Sequence, residues 1–213
     1  MMYLSGAITQ VLLANPRPDV GLMLSPGMGT FDSKRLEVAM RYWAADNGRF
    51  ASPELWNAGD WLEWAASMRR WRETCLFLVA PDVVGDAQAT LQLSRPYLPT
   101  IRQLGFRSAF VTQDGCCDEL VPWDDFDCLF VGGTNGWKLS EASYALVDKA
   151  RGLGKRTHMG RVNSLRRLRA CAVSGFDTAD GTYARFAPDR HVADIFDWLD
   201  DINGAQQRFE VVA

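Results

Sequence analysis

The stretch HMGRVNSLRRLRACAVSGFDTADGTYARF, residues 158–186, decides the fold. The segment KRTHMGR that leads into it predicts a buried strand ending at Gly160. Asn163 or Ser164 then caps a helical run in which Leu165, Leu168, Ala172 and Val173 recur at helical spacing. Gly175 ends that helix, and FDTAD predicts a second short strand that stops at Asp180-Gly181-Thr182. Strand, helix and strand in so few residues make a βαβ unit. Its carboxylate lies at the carboxyl end of the second strand, where parallel α/β folds place their chemistry. Read alone, Asp180 equally fits a turn, because Asp-Gly is ordinary turn chemistry.

Outward from this unit the same theme repeats. VGLMLS (20–25) is strand-like and stops at Pro26-Gly27, with Gly29 just beyond and a short helix predicted over Lys34–Met40. RYWAAD runs into Asp46-Asn47-Gly48. Leu55–Arg72 predicts a long helix whose Trp61, Trp64, Met68 and Trp71 form a stripe that packs into a core. CLFLVAPDVVGD (75–86) is a continuous apolar run ending in acids, the pattern of a strand buried on both faces. A helix from Asp86 to Gln103 contains Pro96, which should kink or split it. RSAFVTQDG gives a strand ending at Gln113, and DCLFVGGTNGW gives one ending at Gly132-Gly133. A helix over Ser140–Leu153 leads back to the opening unit. The last helix, Arg190–Ile202, carries Val192, Ile195, Phe196 and Leu199 on one face. Beyond Asn203 the chain reads as a polar tail, with FEVV as an optional strand.

Strands alternate with helices, and nearly every strand ends in glycine or a polar residue. That placement fits a (β/α) barrel, whose site is built from the loops after its strands. Seven strands are legible. With 213 residues the chain is shorter than the ~250 usual for the fold, so the expectation is a single domain with a short or incomplete TIM-like barrel. No apolar run approaches the ~20 residues of a membrane span, and the N-terminus lacks signal-peptide features, so a cytoplasmic protein is expected. The five cysteines are odd in number and lack metal-ligand spacing, which predicts buried free thiols. A net charge of −3 leaves nucleic-acid binding to a local basic face.

The ordered set DNG, PDVVGD, VTQDG, VGGT with WKL, HMGRVN and GFDTADGT resembles the tRNA-guanine transglycosylase superfamily, over residues 42–186. It is most similar to the DNA-modifying branch of phages and bacteria, which inserts 7-deazaguanines into DNA. The resemblance implies that Asp180 is the nucleophile attacking the sugar C1′ and that Asp46 is a proton-transfer carboxylate. It implies that Asp86 or Asp82, with Gln113 and the Gly132-Gly133 pair, reads the guanine edge, and that Gly160 belongs to the same pocket. The chemistry is consistent with those residue types. Displacing a purine from C1′ passes through an oxocarbenium-like state that one carboxylate can capture, while a second moves a proton. A carboxylate, a carboxamide and a backbone N–H complement the donors and acceptors of guanine.

Two departures from the pattern matter. The tRNA branch carries a cysteine-rich zinc subdomain after the nucleophile, and here only His191 follows Cys171 as a possible ligand, so no metal and no cofactor are expected. The chain is also much shorter than the tRNA enzymes. Guanine-containing DNA and a free 7-deazaguanine base are therefore the expected partners, with the target nucleotide flipped into the barrel mouth. Accessory proteins or a homodimer stay open. Arg161, Arg166, Arg167, Arg169 and Arg185 are candidates for phosphate binding, although the run at 166–169 fits a solvated helix face equally well. His158 fits either a packed core histidine or a substrate ligand. The alternatives are a tRNA enzyme, an N-glycoside hydrolase or deoxyribosyltransferase using free nucleosides, and a non-catalytic nucleic-acid binder, which retention of both Asp46 and Asp180 disfavours.

Overall fold

The computed structural model describes residues 1–26, 42–51 and 53–210. Eight parallel strands close into one barrel: β1 (Met2–Ser5), β2 (Val20–Leu24), β3 (Trp43–Ala45), β4 (Cys75–Val79), β5 (Ser108–Thr112), β6 (Cys128–Val131), β7 (Arg156–Met159) and β8 (Thr178–Gly181). Among the described residues the helices are α1 (Gln10–Ala14), α2 (Ala58–Ser67), α3 (Ala87–Ser94), α4 (Tyr97–Gln103), α5 (Asn135–Lys138), α6 (Glu141–Gly152), α7 (Leu165–Val173) and α8 (Pro188–Glu210). The TIM-like barrel expected from the sequence is present and complete, with one strand more than the seven legible there. The additional strand is β1, which pairs with both β8 and β2 and sets Leu4 opposite Asp180. Its four residues, MYLS, are too few to carry an alternation that could be read.

Leu4, Met23, Phe77, Val79 and Val111 fill the barrel interior. The opposite strand faces, among them Leu22, Leu78, Phe110 and Leu129, pack beneath the helices. The predicted long helix over Leu55–Arg72 is shorter: α2 ends at Ser67, and a 3₁₀ segment follows over Arg69–Thr74. Its tryptophan stripe is core packing as expected, with Trp61 set edge-on against Tyr97 at 5.9 Å. Pro96 splits the next helix into α3 and α4. Ser164, rather than Asn163, caps α7 by accepting from the Arg167 N–H. Four cysteines are buried free thiols, but Cys117 is exposed. Gly27, Gly29 and the Lys34–Met40 segment lie outside the described residues.

The polar tail is a correction as well. α8 continues through Glu210, so neither a tail from Asn203 nor a strand at Phe209-Glu210 forms, while Val211 and Val212 lie outside the described residues. Side chains facing the base of β1 hold this helix. Asn203 donates to Met1 O (3.2 Å) and Asp19 Oδ2 (3.0 Å), and Arg17 bridges Asp19 and Asp200.

Asp177 and Asp180 point to opposite sides of their strand, as their odd spacing requires. Asp177 Oδ2 accepts from the N–H (2.8 Å) and hydroxyl (3.2 Å) of Thr157, clamping β8 to β7. Asp127 does the same for Ser108 between β6 and β5.

Candidate active site

The carboxyl ends of the strands surround a cavity of about 400 Å³, within the range of small-molecule sites. Asp46, Asp82, Gln113, Gly132, Gly133, Lys138, Gly160, Arg161, Asp180 and Arg185 all line it. Three carboxylates thus come from β3, β4 and β8, on opposite sides of one mouth.

Asp82 is the most tightly held of the three. Its Oδ1 accepts from Asn47 Nδ2 (2.9 Å) and its Oδ2 from Gln113 Nε2 (2.6 Å). Asn47 is itself fixed to Ala80 O (3.0 Å). Gln113 is locked from its other end, since its Oε1 accepts from the Gly85 N–H (3.0 Å). Each Asp82 oxygen keeps a free lone pair, and Gln113 keeps one N–H. Burial raises the Asp82 pKa, opposed by the hydrogen bonds from Asn47 and Gln113. A Cβ at position 132 would lie 2.7 Å from Val111 Cγ1 and 3.0 Å from Gln113 Nε2, so glycine there is what lets Gln113 keep its place. The Gly132 N–H is spent on Thr112 O. Gly133, at φ +77°, carries the neighbouring N–H around a turn that L side chains rarely adopt.

Asp86 does not line the cavity. It is exposed and caps α3, with its carboxylate accepting from the Ala89 N–H (2.9 Å). This corrects the choice between the two acids of PDVVGD in favour of Asp82. Both ends of that segment are acidic, and only the fold reveals which one the loop turns inward. Asp86→Ala should cost about 1 kcal/mol of stability through the lost cap and leave any activity of the cavity intact. A chemical-denaturation curve beside an activity assay checks both halves.

Asp46, beyond β3, accepts a long bond from the Gly48 N–H (3.4 Å), and the Asn47 N–H also acts on it. Burial first, and then the negative charges of Asp82 and Asp180, raise its pKa from 3.8 to about 6. Asp180 is held at one oxygen: Oδ1 meets His158 Nε2 at 2.9 Å and the Arg161 N–H at 3.3 Å. Arg161 reaches that position with φ +58°, the only non-glycine positive φ among the described residues. Such a conformation costs about 1–3 kcal/mol and clusters at functional sites. Its guanidinium lies over the Phe50 ring, 3.8 Å from the centroid. Phe50 is 54% exposed and also lines the cavity, so an aromatic face is presented at the mouth.

The basic residues divide. Arg161 and Arg185 line the cavity, and Arg167 lines a narrow crevice beside it. Arg166 is exposed on α7 and lines neither. Arg169 lines neither and pairs with Asp201 of α8 (2.8 Å), which corrects its assignment to a phosphate-binding face. Lys138, buried on α5, adds a cation that the sequence reading left without a role. Its Nζ donates to Gly160 O (2.9 Å). Burial, followed by the charges of Arg161 and Arg167, lowers its pKa, while Asp180 opposes this. Asn47, Phe50 and Lys138 all stand inside or beside the quoted motifs, so proximity to Asp46 and Gly133 was the one signal available for them.

The fold and cavity together define a (β/α)₈ barrel with three carboxylates and a basic flank converging on one mouth. Compared with known proteins, the chain matches no family model and no curated protein. Among the described residues, no group of His, Cys, Asp and Glu is placed to hold a metal ion, and no helix is long and apolar enough to cross a membrane.

Proposed function

We propose that this protein exchanges guanine in DNA for a 7-deazaguanine through a covalent aspartyl-deoxyribosyl intermediate. The observation that carries the reading is the Asp82–Gln113 pair, pre-oriented in the same cavity as Asp46 and Asp180. Guanine offers two adjacent donors, N1–H and the 2-amino group, and the spare lone pairs of Asp82 accept them. The spare Gln113 N–H and the Gly133 N–H then face the acceptor O6, so every group matched is one that guanine and a 7-deazaguanine share. A site built to pair both polarities discriminates strongly against bases that leave its buried groups unmatched.

With the base so held, Asp180 forms a bond from a carboxylate oxygen to C1′. The C1′–N9 bond breaks and its electron pair leaves with guanine, which takes a proton from Asp46. In the second half-reaction an incoming 7-deazaguanine returns its N9 proton to Asp46 and attacks C1′. The ester bond breaks, and its pair returns to Asp180. A carboxyl with a pKa of about 6 suits both directions of that transfer near neutral pH. Arg161 and Arg185 line the same cavity and are the cations that would meet the phosphates of a flipped nucleotide.

The test is release of labelled guanine from DNA by purified protein on addition of a 7-deazaguanine base. Exchange on DNA with none on a free deoxynucleoside supports the reading. Exchange confined to the free nucleoside, or to tRNA, would replace it.

A further inference from the structure

Beneath Asp180, two buried polar side chains interrupt an otherwise apolar barrel interior. His158 is fully buried, between Phe77 (ring centroids 5.1 Å apart) and Phe130 (4.5 Å), and Thr178 is buried beside it. Polar groups in such surroundings are costly unless every one is matched. Here both ring nitrogens are matched: Nδ1 meets Thr178 Oγ1 at 2.7 Å and Nε2 meets Asp180 Oδ1 at 2.9 Å. An ionised carboxylate only accepts, so Nε2 carries a proton towards it, and in the neutral ring the Thr178 hydroxyl must donate to Nδ1. The strained Arg161 adds its own N–H to the same Oδ1. Among the described residues, no hydrogen-bond donor reaches Oδ2.

We infer that His158, set by Thr178, is a positioning residue that grips Asp180 by Oδ1 and so leaves Oδ2 as the oxygen that bonds to the sugar. The inference rests on the proposed role of Asp180. Its alternation supports it, since Thr178 and Asp180 share one face of β8 and His158 stands across on β7 at the level of Thr178. When the Oδ2–C1′ bond forms, Oδ1 becomes the ester carbonyl and still accepts from His158. When that bond breaks, the electron pair returns to a carboxylate whose other oxygen is already hydrogen-bonded. Both half-reactions therefore depend on the same contact.

The experiment is single-turnover formation of the protein–DNA adduct at saturating guanine-containing DNA. It compares His158→Phe, which keeps ring packing, and His158→Gln, which restores an N–H near Nε2, with Thr178→Val and Asp180→Asn. Loss of alignment is expected to slow adduct formation about 100-fold in His158→Phe, with DNA affinity and adduct amplitude kept. Gln should recover most of that rate, and Thr178→Val should fall between. A purely structural role would instead lower the amplitude and leave the rate constant of the folded fraction unchanged, which overturns the inference. If His158→Phe fails to fold, Thr178→Val decides in the same way, because an unchanged rate constant there also overturns it. Adduct formation by Asp180→Asn would refute the role of Asp180 itself, a different outcome from an unchanged rate in the His158 and Thr178 variants alone.

Discussion

Asp180→Asn is expected to fold normally, bind DNA as the parent does, and form no covalent adduct. Asparagine keeps the shape and can still accept from His158 and Arg161 at its amide oxygen, so the two contacts that anchor position 180 survive. What disappears is the negative charge and the nucleophilic lone pair, so base exchange should fall by 10³-fold or more, on the scale seen when a covalent nucleophile is removed. Asp177→Ala is the matched control on the same strand. It strips the acceptor from the Thr157 N–H and should cost about 1–3 kcal/mol of stability. Activity per folded molecule should not change. Denaturing gels of quenched DNA mixtures, read beside melting curves, separate the two. An adduct that persists in Asp180→Asn and vanishes in folded Asp177→Ala would reverse their roles.

The second large effect is expected at Asp46, and it has opposite signs for activity and stability. Its folded pKa of about 6 lies above the 3.8 of an unburied carboxyl, so the folded state holds the proton more tightly than the unfolded chain. Below pH ~4 both states are protonated and the group is neutral in its effect. As pH rises from there through 6, ionisation penalises the fold, reaching at most ~3 kcal/mol above pH 7. Asp46 is only half-buried, and solvent screening reduces that figure. Asp46→Asn should therefore raise the melting temperature at pH 8 and leave it unchanged at pH 4. Base release should fall by about 10²–10⁴-fold, as expected for loss of a positioned proton donor. In the parent, single-turnover release should decline as pH rises past about 6, and this limb should be absent from the variant. The same limb in Asp46→Asn would assign the titration to another group.

The alternation of apolar runs and helices, and the glycine or polar residue closing each run, were enough to read a barrel. Its completeness was not legible, because β1 is four residues long and acquires its identity only by sitting between β8 and β2. Candidate residues at strand ends were readable because barrels build their sites there. Loop residues were not: Asp82 and Asp86 are chemically alike, and the turn between β4 and α3 decides that one grips Gln113 while the other caps a helix. Arg169 shows the same limit on a helix, since its pairing with Asp201 depends on how α7 meets α8. His158 was ambiguous because a buried histidine and a site histidine share one pattern. It turns out to be buried and in contact with the candidate nucleophile at once.

The most direct measurement is nucleoside mass analysis of DNA from cells expressing this protein with a 7-deazaguanine supply, alongside cells expressing Asp180→Asn. A 7-deaza-2′-deoxyguanosine derivative is expected in the DNA of the first culture and none in the second, with tRNA unchanged in both. Unmodified DNA together with 7-deazaguanine in tRNA, or modification that persists in Asp180→Asn, would contradict the proposed exchange.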